Sequence, residues 1–322
     1  MRVISDIGSV TGQRGTVLTI GAFDGVHCGH QALLRAMVQR ARALGMHSAV
    51  LTFYPHPREV LQPDSSFRYL TTDVERARLF ENLGVDLLVL QPFDRDLATT
   101  TARAFVERLC RVLNMRELWV GPDFALGRAR QGDVAELSRL QSELGYHLEV
   151  IGRVEADDQA ISSTRIRGLL EAGDLIGVTR MLGRHYGVNG VVRYGAQRGR
   201  RLGFRTANLR IGPLCGCPQD GVYAVWGQAN NVWQAGVANL GRRPSFDLGE
   251  RLLEVHLLDF DGSLYGKYMR VLFVERLRGE HRFDSTDQLV AQVHEDMGRA
   301  RAILSANPPR DLTLCAEPVF AS

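Results

Sequence analysis

Hydrophobic positions follow two rhythms along the chain. Through the first half, short continuous apolar runs at 16–21, 48–53, 87–90, 118–121 and 148–151 alternate with amphipathic segments at 30–44, 73–83, 101–113 and 133–145. Strands that read as unbroken apolar runs between helices predict a parallel sheet covered on both faces, a doubly wound, Rossmann-like α/β domain. Ligands of such sheets bind beyond the carboxyl ends of the strands. After about residue 183 the rhythm changes: runs at 188–193, 222–227, 233–238, 252–260 and 270–275 are separated by loops rich in Gly, Pro and Asn, with no helical segment between them. That pattern predicts an antiparallel β-barrel or sandwich. A closing helix over 285–304, capped by Asp284 or Ser285, carries Leu289, Val293 and Met297 on one face. The expected division is an α/β domain over 1–183 and a β domain over 184–322.

Composition narrows the function. With 45% apolar and 23% charged residues in 322, the chain is an ordinary two-domain globular protein. It has no apolar run of the roughly 18 residues that would span a bilayer, and its first fifteen residues lack the apolar stretch expected of a secretory signal. Five cysteines (28, 110, 215, 217 and 315), odd in number and widely spread, predict reduced thiols in a cytoplasmic protein. A net charge of +3 gives no electrostatic footprint for nucleic acid. Of the 39 basic residues only Lys267 is a lysine. A Walker A loop, which needs Gly-Lys-Ser/Thr, is therefore excluded, as is the lysine-rich second signature of class I aminoacyl-tRNA synthetases.

Two segments carry the strongest chemical signal. Gly21-Ala22-Phe23-Asp24-Gly25-Val26-His27-Cys28-Gly29-His30 follows the first strand and opens the first helix. Its glycines permit a tight turn, and a helix N-terminus offers free N–H groups to an anion. His27 and His30, three apart, can face one phosphate and offset charge that develops there. The plainer alternative is a glycine turn with two capping histidines. Ile161-Ser162-Ser163-Thr164-Arg165-Ile166-Arg167 places three hydroxyls and two arginines at another helix start, where a simple N-cap would need one hydroxyl.

Together these segments resemble the HxGH nucleotidyltransferases. With Thr52-Phe53-Tyr54-Pro55-His56-Pro57 and Gly121-Pro122-Asp123-Phe124-Ala125-Leu126-Gly127 they resemble one family in particular, the bacterial bifunctional riboflavin kinase/FAD synthetases. The resemblance implies that Gly21, Phe23, Asp24, Gly25, His27 and His30, with Ser163, Thr164 and Arg167, hold ATP in the adenylyltransferase half. Asp123, at a position often occupied by Asn, would lie by the nucleotide. Pro55, His56 and Pro57 would help form the flavin pocket.

The second half resembles the same family. Gly195-Ala196-Gln197-Arg198-Gly199-Arg200-Arg201-Leu202-Gly203 looks like the kinase's glycine-rich loop, and Arg205-Thr206-Ala207-Asn208 like its Pro-Thr-Ala-Asn motif. On residues alone the first of these is a solvated basic turn as readily as a phosphate site. By resemblance, Gly195, Arg198, Gly199, Gly203, Thr206 and Asn208 bind ATP, and Thr206 and Asn208 hold Mg2+ through hard oxygen ligands. Arg205 departs from the motif's proline and removes a φ restraint, which opens the question of an impaired kinase. Glu254 matches the catalytic glutamate, and strand alternation puts it on one face with His256. Arg278 and Phe283 would border the flavin, although a barrel edge also uses such residues. Ser245 stands where the family commonly has threonine. Cys215-Gly216-Cys217 has no second Cys/His pair nearby to complete a zinc site, so loop cysteines are expected.

The implied function is two-step flavin cofactor synthesis, riboflavin to FMN and FMN to FAD, with ATP and magnesium and no nucleic-acid or membrane partner. The alternatives are an FAD synthetase with a failing kinase barrel, and a flavin-binding carrier or sensor without catalysis.

Overall fold

The computed structural model describes residues 1–9, 14–63, 67–157, 159–194, 204–242, 251–312 and 314–315. The chain forms two compact units, one of Met1–Phe67, Thr71–Ser162 and Leu314–Ser322, the other of Arg68–Leu70 and Ser163–Thr313. The first unit begins with β1 (Arg2–Ile4), β2 (Thr16–Ile20), α1 (Cys28–Ala43), β3 (His47–Tyr54), α2 (Pro57–Leu61), α3 (Asp73–Asn82) and β4 (Leu87–Pro92). It continues with α4 (Arg95–Thr99), α5 (Ala102–Leu113), β5 (Met115–Val120), β6 (Ala125–Leu126), β7 (Gly132–Asp133), α6 (Val134–Leu144), β8 (His147–Val150), β9 (Glu155–Ala156) and β10 (Gln159–Ala160).

Six of these strands form a parallel sheet in the order β1-β4-β3-β2-β5-β8. The expected doubly wound architecture holds because the central strands are buried over most of their length, β2 at every residue. Leu18, Leu51, Val89 and Leu118 from four strands meet Phe105 and Leu109 of α5 in one core. The edge strand β1 was not expected: of its three residues only Ile4 is buried, too little to register as an apolar run.

The second unit contains α7 (Ser163–Ala172), α8 (Leu175–Leu182), β11 (Tyr186–Arg193), β12 (Ala207–Ile211), β13 (Gly221–Ala229), β14 (Val232–Arg242), β15 (Arg251–Leu257), β16 (Tyr268–Arg278) and α9 (Thr286–Ala306). The strands close into an antiparallel barrel, β11-β12-β15-β14-β13-β16. Hydrophobic patterning revealed five of the six. It missed β12, where Asn208 and Arg210 alternate with apolar residues and break the run.

Ser285 caps α9, accepting from Gln288 N at 3.3 Å. The fully buried residues of this helix are Asp296, Ala300 and Leu304, while Leu289, Val293 and Met297, on one face as expected, are half-buried. Ala300 lets the helix approach Val222, Ala224 and Val274 of the barrel closely.

The expectation of five reduced thiols is corrected. Cys28 and Cys315, both of the first unit, form a disulfide with Cα atoms 5.9 Å apart, while Cys110, Cys215 and Cys217 form no disulfide among the described residues. A count of cysteines carries no information about which two meet in space. The main chain of Cys315 is also held by α1: its N–H donates to Gln31 Oε1 (2.7 Å), and Arg35 Nη2 donates to its carbonyl (2.5 Å). Among the described residues no helix is long and apolar enough to cross a membrane.

Candidate functional site

In the first unit the candidate residues sit on three loops that follow adjacent parallel strands. Gly21–His30 follows β2, Pro55-His56-Pro57 follows β3 and Asp123 follows β5, with β2 between the other two. This is the carboxyl edge where doubly wound sheets bind ligands. Gly21 N–H donates to Leu51 O (3.1 Å), and the chain then bends through Phe23 (φ 49°), Gly25 (φ 83°) and Val26 (φ 39°). For Phe23 and Val26 that left-handed backbone costs roughly 1–2 kcal/mol each.

Buried polar contacts hold the bend. Asp24 Oδ1 accepts from Thr71 N (3.2 Å) and Thr71 Oγ1 (3.3 Å), and Thr71 Oγ1 accepts from Gly25 N (3.0 Å). Gln31 Nε2 donates to Val26 O (2.8 Å). Asp24 is 2% exposed, so it braces the turn from beneath.

His27 is the N-cap of α1, its Nδ1 accepting from His30 N at 3.2 Å. That bond puts the His27 proton on Nε2. The two imidazoles stack with centroids 3.6 Å apart, and Phe23 meets His30 edge-on at 5.0 Å. A Cβ on residue 29 would come within 3.2 Å of His27 Nδ1, so glycine keeps the pair together. His30 Nδ1 is buried without a partner among the described residues, and burial pushes the ring down to about 3. His30 is therefore neutral at pH 7 and can offer an N–H to an oxyanion.

His56 caps α2, accepting from Arg58 N (3.1 Å), and its ring lies 4.3 Å from that of Phe67. Pro55 and Pro57 flank it as a rigid turn, with Arg58 6.0 Å over the same Phe67 ring. Asp123 is exposed. Its carboxylate accepts from Arg153 (2.6 Å) and its carbonyl from Arg130 (3.0 Å). Ser163, Thr164 and Arg167 open α7, in the second unit, where Arg167 Nε donates to Arg68 O (2.6 Å).

The second unit holds a cavity of ≈ 270 Å³ at the start of β12, lined by Arg205, Thr206, Asn208, Phe260 and Tyr265 over a floor that includes Val255. Asn208 is 7% exposed, and its Oδ1 is buried without a partner among the described residues. Asn208 Nδ2 donates to Thr206 O (3.4 Å), and an orphaned amide oxygen with a threonine hydroxyl lining the same cavity is a fitting ligand pair for a hard divalent cation. In the barrel register Asn208 lies opposite Glu254, and Glu254 opposite Asn239. Directly paired residues share a face, so these three form one row on the outside of the barrel, with His256 two residues further along.

Arg205 is tethered twice. Its side chain pairs with Asp261, and its carbonyl accepts from His256 Nδ1 (2.9 Å). Arg278 and Phe283 are together: the guanidinium lies 5.7 Å over the ring and bridges to the buried Asp296 of α9 at 2.8 Å. Gly195, Arg198, Gly199, Gly203 and Ser245 lie outside the described residues. Cys215 and Cys217 lie in the loop between β12 and β13.

Residues 10–165 match the family model for FAD synthetase, and residues 182–304 that for riboflavin kinase. The bifunctional riboflavin kinase/FMN adenylyltransferase of Haemophilus influenzae is 38% identical over 296 residues, 91% of this chain and 96% of that protein. This chain belongs to that family. Bifunctional riboflavin kinase/FMN adenylyltransferases of Escherichia coli K12 (36% identical, 92% of this chain and 95% of that protein) and Bacillus subtilis (32%, 89% and 92%) extend the match. A crystal structure described as a macrolide-efflux protein from Streptococcus pneumoniae superposes with a TM-score of 0.86 at 30% identity, over 93% of this chain and 98% of that one.

As a member of the bifunctional family, this chain is a transferase with an adenylyltransferase and a kinase domain. Sequence reasoning did not single out Thr71, Arg76, Arg153 or Asp261, which hold the motif residues from distant parts of the chain. Asn239 was not singled out either; its register opposite Glu254 gives it a place beside the site.

Proposed function

We propose that this chain makes FAD from riboflavin in two ATP-dependent steps, the kinase step in 184–322 and adenylyl transfer in 1–183. The observation that carries the kinase reading is the row on the barrel's outer face, where Asn208, its Oδ1 without a partner among the described residues, lies directly opposite Glu254 in the register. Glu254 takes the proton from the 5′-hydroxyl of riboflavin as that oxygen attacks the γ-phosphorus of ATP, giving FMN and ADP. Thr206 and Asn208 would hold magnesium, which when bound neutralises charge on the phosphate oxygens. Gly195, Arg198, Gly199 and Gly203 would wrap the phosphates, and Arg278 and Phe283 border the flavin. The double tether of Arg205 supports an intact kinase, since it restrains the loop without the motif's proline.

In adenylyl transfer the FMN phosphate attacks the α-phosphorus of a second ATP in line and pyrophosphate leaves. The nucleophile is already an anion, so positioning and charge stabilisation supply most of the rate. His27 and His30 donate N–H groups to the bridging region. Gly21, Phe23 and Gly25 present backbone to the phosphates. Asp123 lies by the nucleotide, and Pro55, His56 and Pro57 line the flavin pocket. We place the enzyme in the cytoplasm with its ATP supply; riboflavin, FMN, FAD and ATP are its small-molecule partners.

The test is a time course of the whole protein with riboflavin, ATP and magnesium, with and without a thiol reductant, the flavins separated by chromatography. FMN first and FAD second is the expected result. FAD formed only from added FMN would make the barrel a dead binding module, and no conversion of either flavin would replace the enzyme with a carrier or sensor.

A further inference from the structure

Arg76 is the bulkiest of the fully buried side chains among the described residues, its side chain 1% exposed. A guanidinium is costly to desolvate, and an apolar side chain of similar volume would pack the same space at less cost. Its contacts show what it does there. Nη1 donates to Ala22 O (2.6 Å) and lies 3.4 Å from Thr52 Oγ1; Nη2 pairs with Asp73. Thr52 Oγ1 also donates to Ala22 O, at 3.1 Å. One carbonyl in the bend after β2 is thus held by two buried donors.

That carbonyl matters because of the peptide it belongs to. In a trans peptide the C=O and the following N–H point in opposite directions. Drawing Ala22 O down towards Arg76 turns Phe23 N–H to the other side, and no other described residue takes it. Phe23 itself is held at φ 49° with its ring edge-on to His30, so the tilt of this peptide also sets where His30 lies. The anchor is firm. A capping box fixes the start of α3, with Thr72 Oγ1 accepting from Glu75 N (3.3 Å) and Glu75 Oε2 from Thr72 N (2.7 Å). Thr71, next to that box, holds Asp24 and Gly25.

We propose that Arg76 is a positioning residue for adenylyl transfer. From beneath the turn it pins the Ala22–Phe23 peptide so that Phe23 N–H and the His27/His30 pair face the nucleotide phosphates. Thr52 shares the task. The proposal rests on the reading that the first unit transfers AMP.

Both reactions are measured in the same full-length protein, so riboflavin phosphorylation serves as the control. Arg76→Met should lower kcat for FMN to FAD by about tenfold to a hundredfold, the scale of a small misplacement of reacting groups, while KM for FMN and the kinase rate stay unchanged. Arg76→Lys, whose ammonium can still donate to Ala22 O, should recover most of the loss. Thr52→Val should cost little alone and more than its single effect in the Arg76→Lys background, because the two residues serve one carbonyl. Should Arg76→Met fail to fold, the Lys and Val variants decide. The proposal is overturned by a kcat within twofold of wild type in Arg76→Met, by no rescue from lysine, or by strict additivity with Thr52→Val. A wild-type protein that phosphorylates riboflavin but never adenylylates FMN would instead remove the reading beneath it.

Discussion

In the first unit the candidate residues ride on backbone bent into left-handed conformations at Phe23, Gly25 and Val26 and braced by buried side chains from α1, β3 and α3. In the second they ride on regular strands, and register alone aligns Asn208, Glu254 and Asn239. The first site is built by spending conformational energy on one short turn and recovering it through distant polar contacts. The second costs the backbone nothing and relies on side-chain chemistry, an orphaned amide oxygen beside a carboxylate. Both are proposed to handle phosphate in a chain with a single lysine, Lys267, which forms no part of either site as described.

The sharpest way to break the comparison is to remove the carboxylate from the strand-borne site. Glu254→Gln should lower riboflavin phosphorylation by about 10²–10⁴-fold, the usual weight of a general base, and leave FMN-to-FAD conversion intact. Full kinase activity in that variant would take Glu254 out of the mechanism.

A second contrast is acid stability. Burial pushes His30 down to about 3, and burial with nearby Arg310 pushes His185 of the barrel unit down to about 4. Each folded pKa lies below the unfolded value near 6.5, so the stabilisation is complete above about pH 6.5 and is lost as pH falls towards 4, by about 1.4 kcal/mol per pH unit per histidine. Urea unfolding at a series of pH values should show that slope, and His185→Gln should flatten it for the barrel. An unchanged slope in the variant would assign the acid sensitivity to other groups.

The smallest effect concerns Arg205. Arg205→Pro should change the kinase rate by less than about tenfold, since Asp261 and His256 already restrain the loop that a proline would stiffen. A larger gain would show that the natural sequence is impaired.

What could be read in advance follows the same division. The β2–turn–α1 segment was legible because strand, glycine turn, histidine pair and helix are contiguous, from Thr16 to His30. Its supports were not. Arg76 lies in an amphipathic segment where an arginine reads as solvent-facing, and Thr71 reads as an ordinary helix-start threonine; only the tertiary structure brings either to the turn. On the barrel, Glu254 and His256 sharing a face was legible from alternation and is found so. The strand carrying Asn208 was not, because Asn208 and Arg210 face outward and interrupt the apolar pattern. The Cys28–Cys315 pairing lay beyond any local signal.

That disulfide also sets an order of events. Its partners are 287 positions apart, with the whole barrel unit encoded between them. At about 5–20 residues per second, a ribosome needs roughly 15 seconds to a minute after making Cys28 before Cys315 exists. Throughout that interval the helix carrying His27 and His30 waits with an unbonded thiol at its first residue, so the sheet domain made first is covalently finished last.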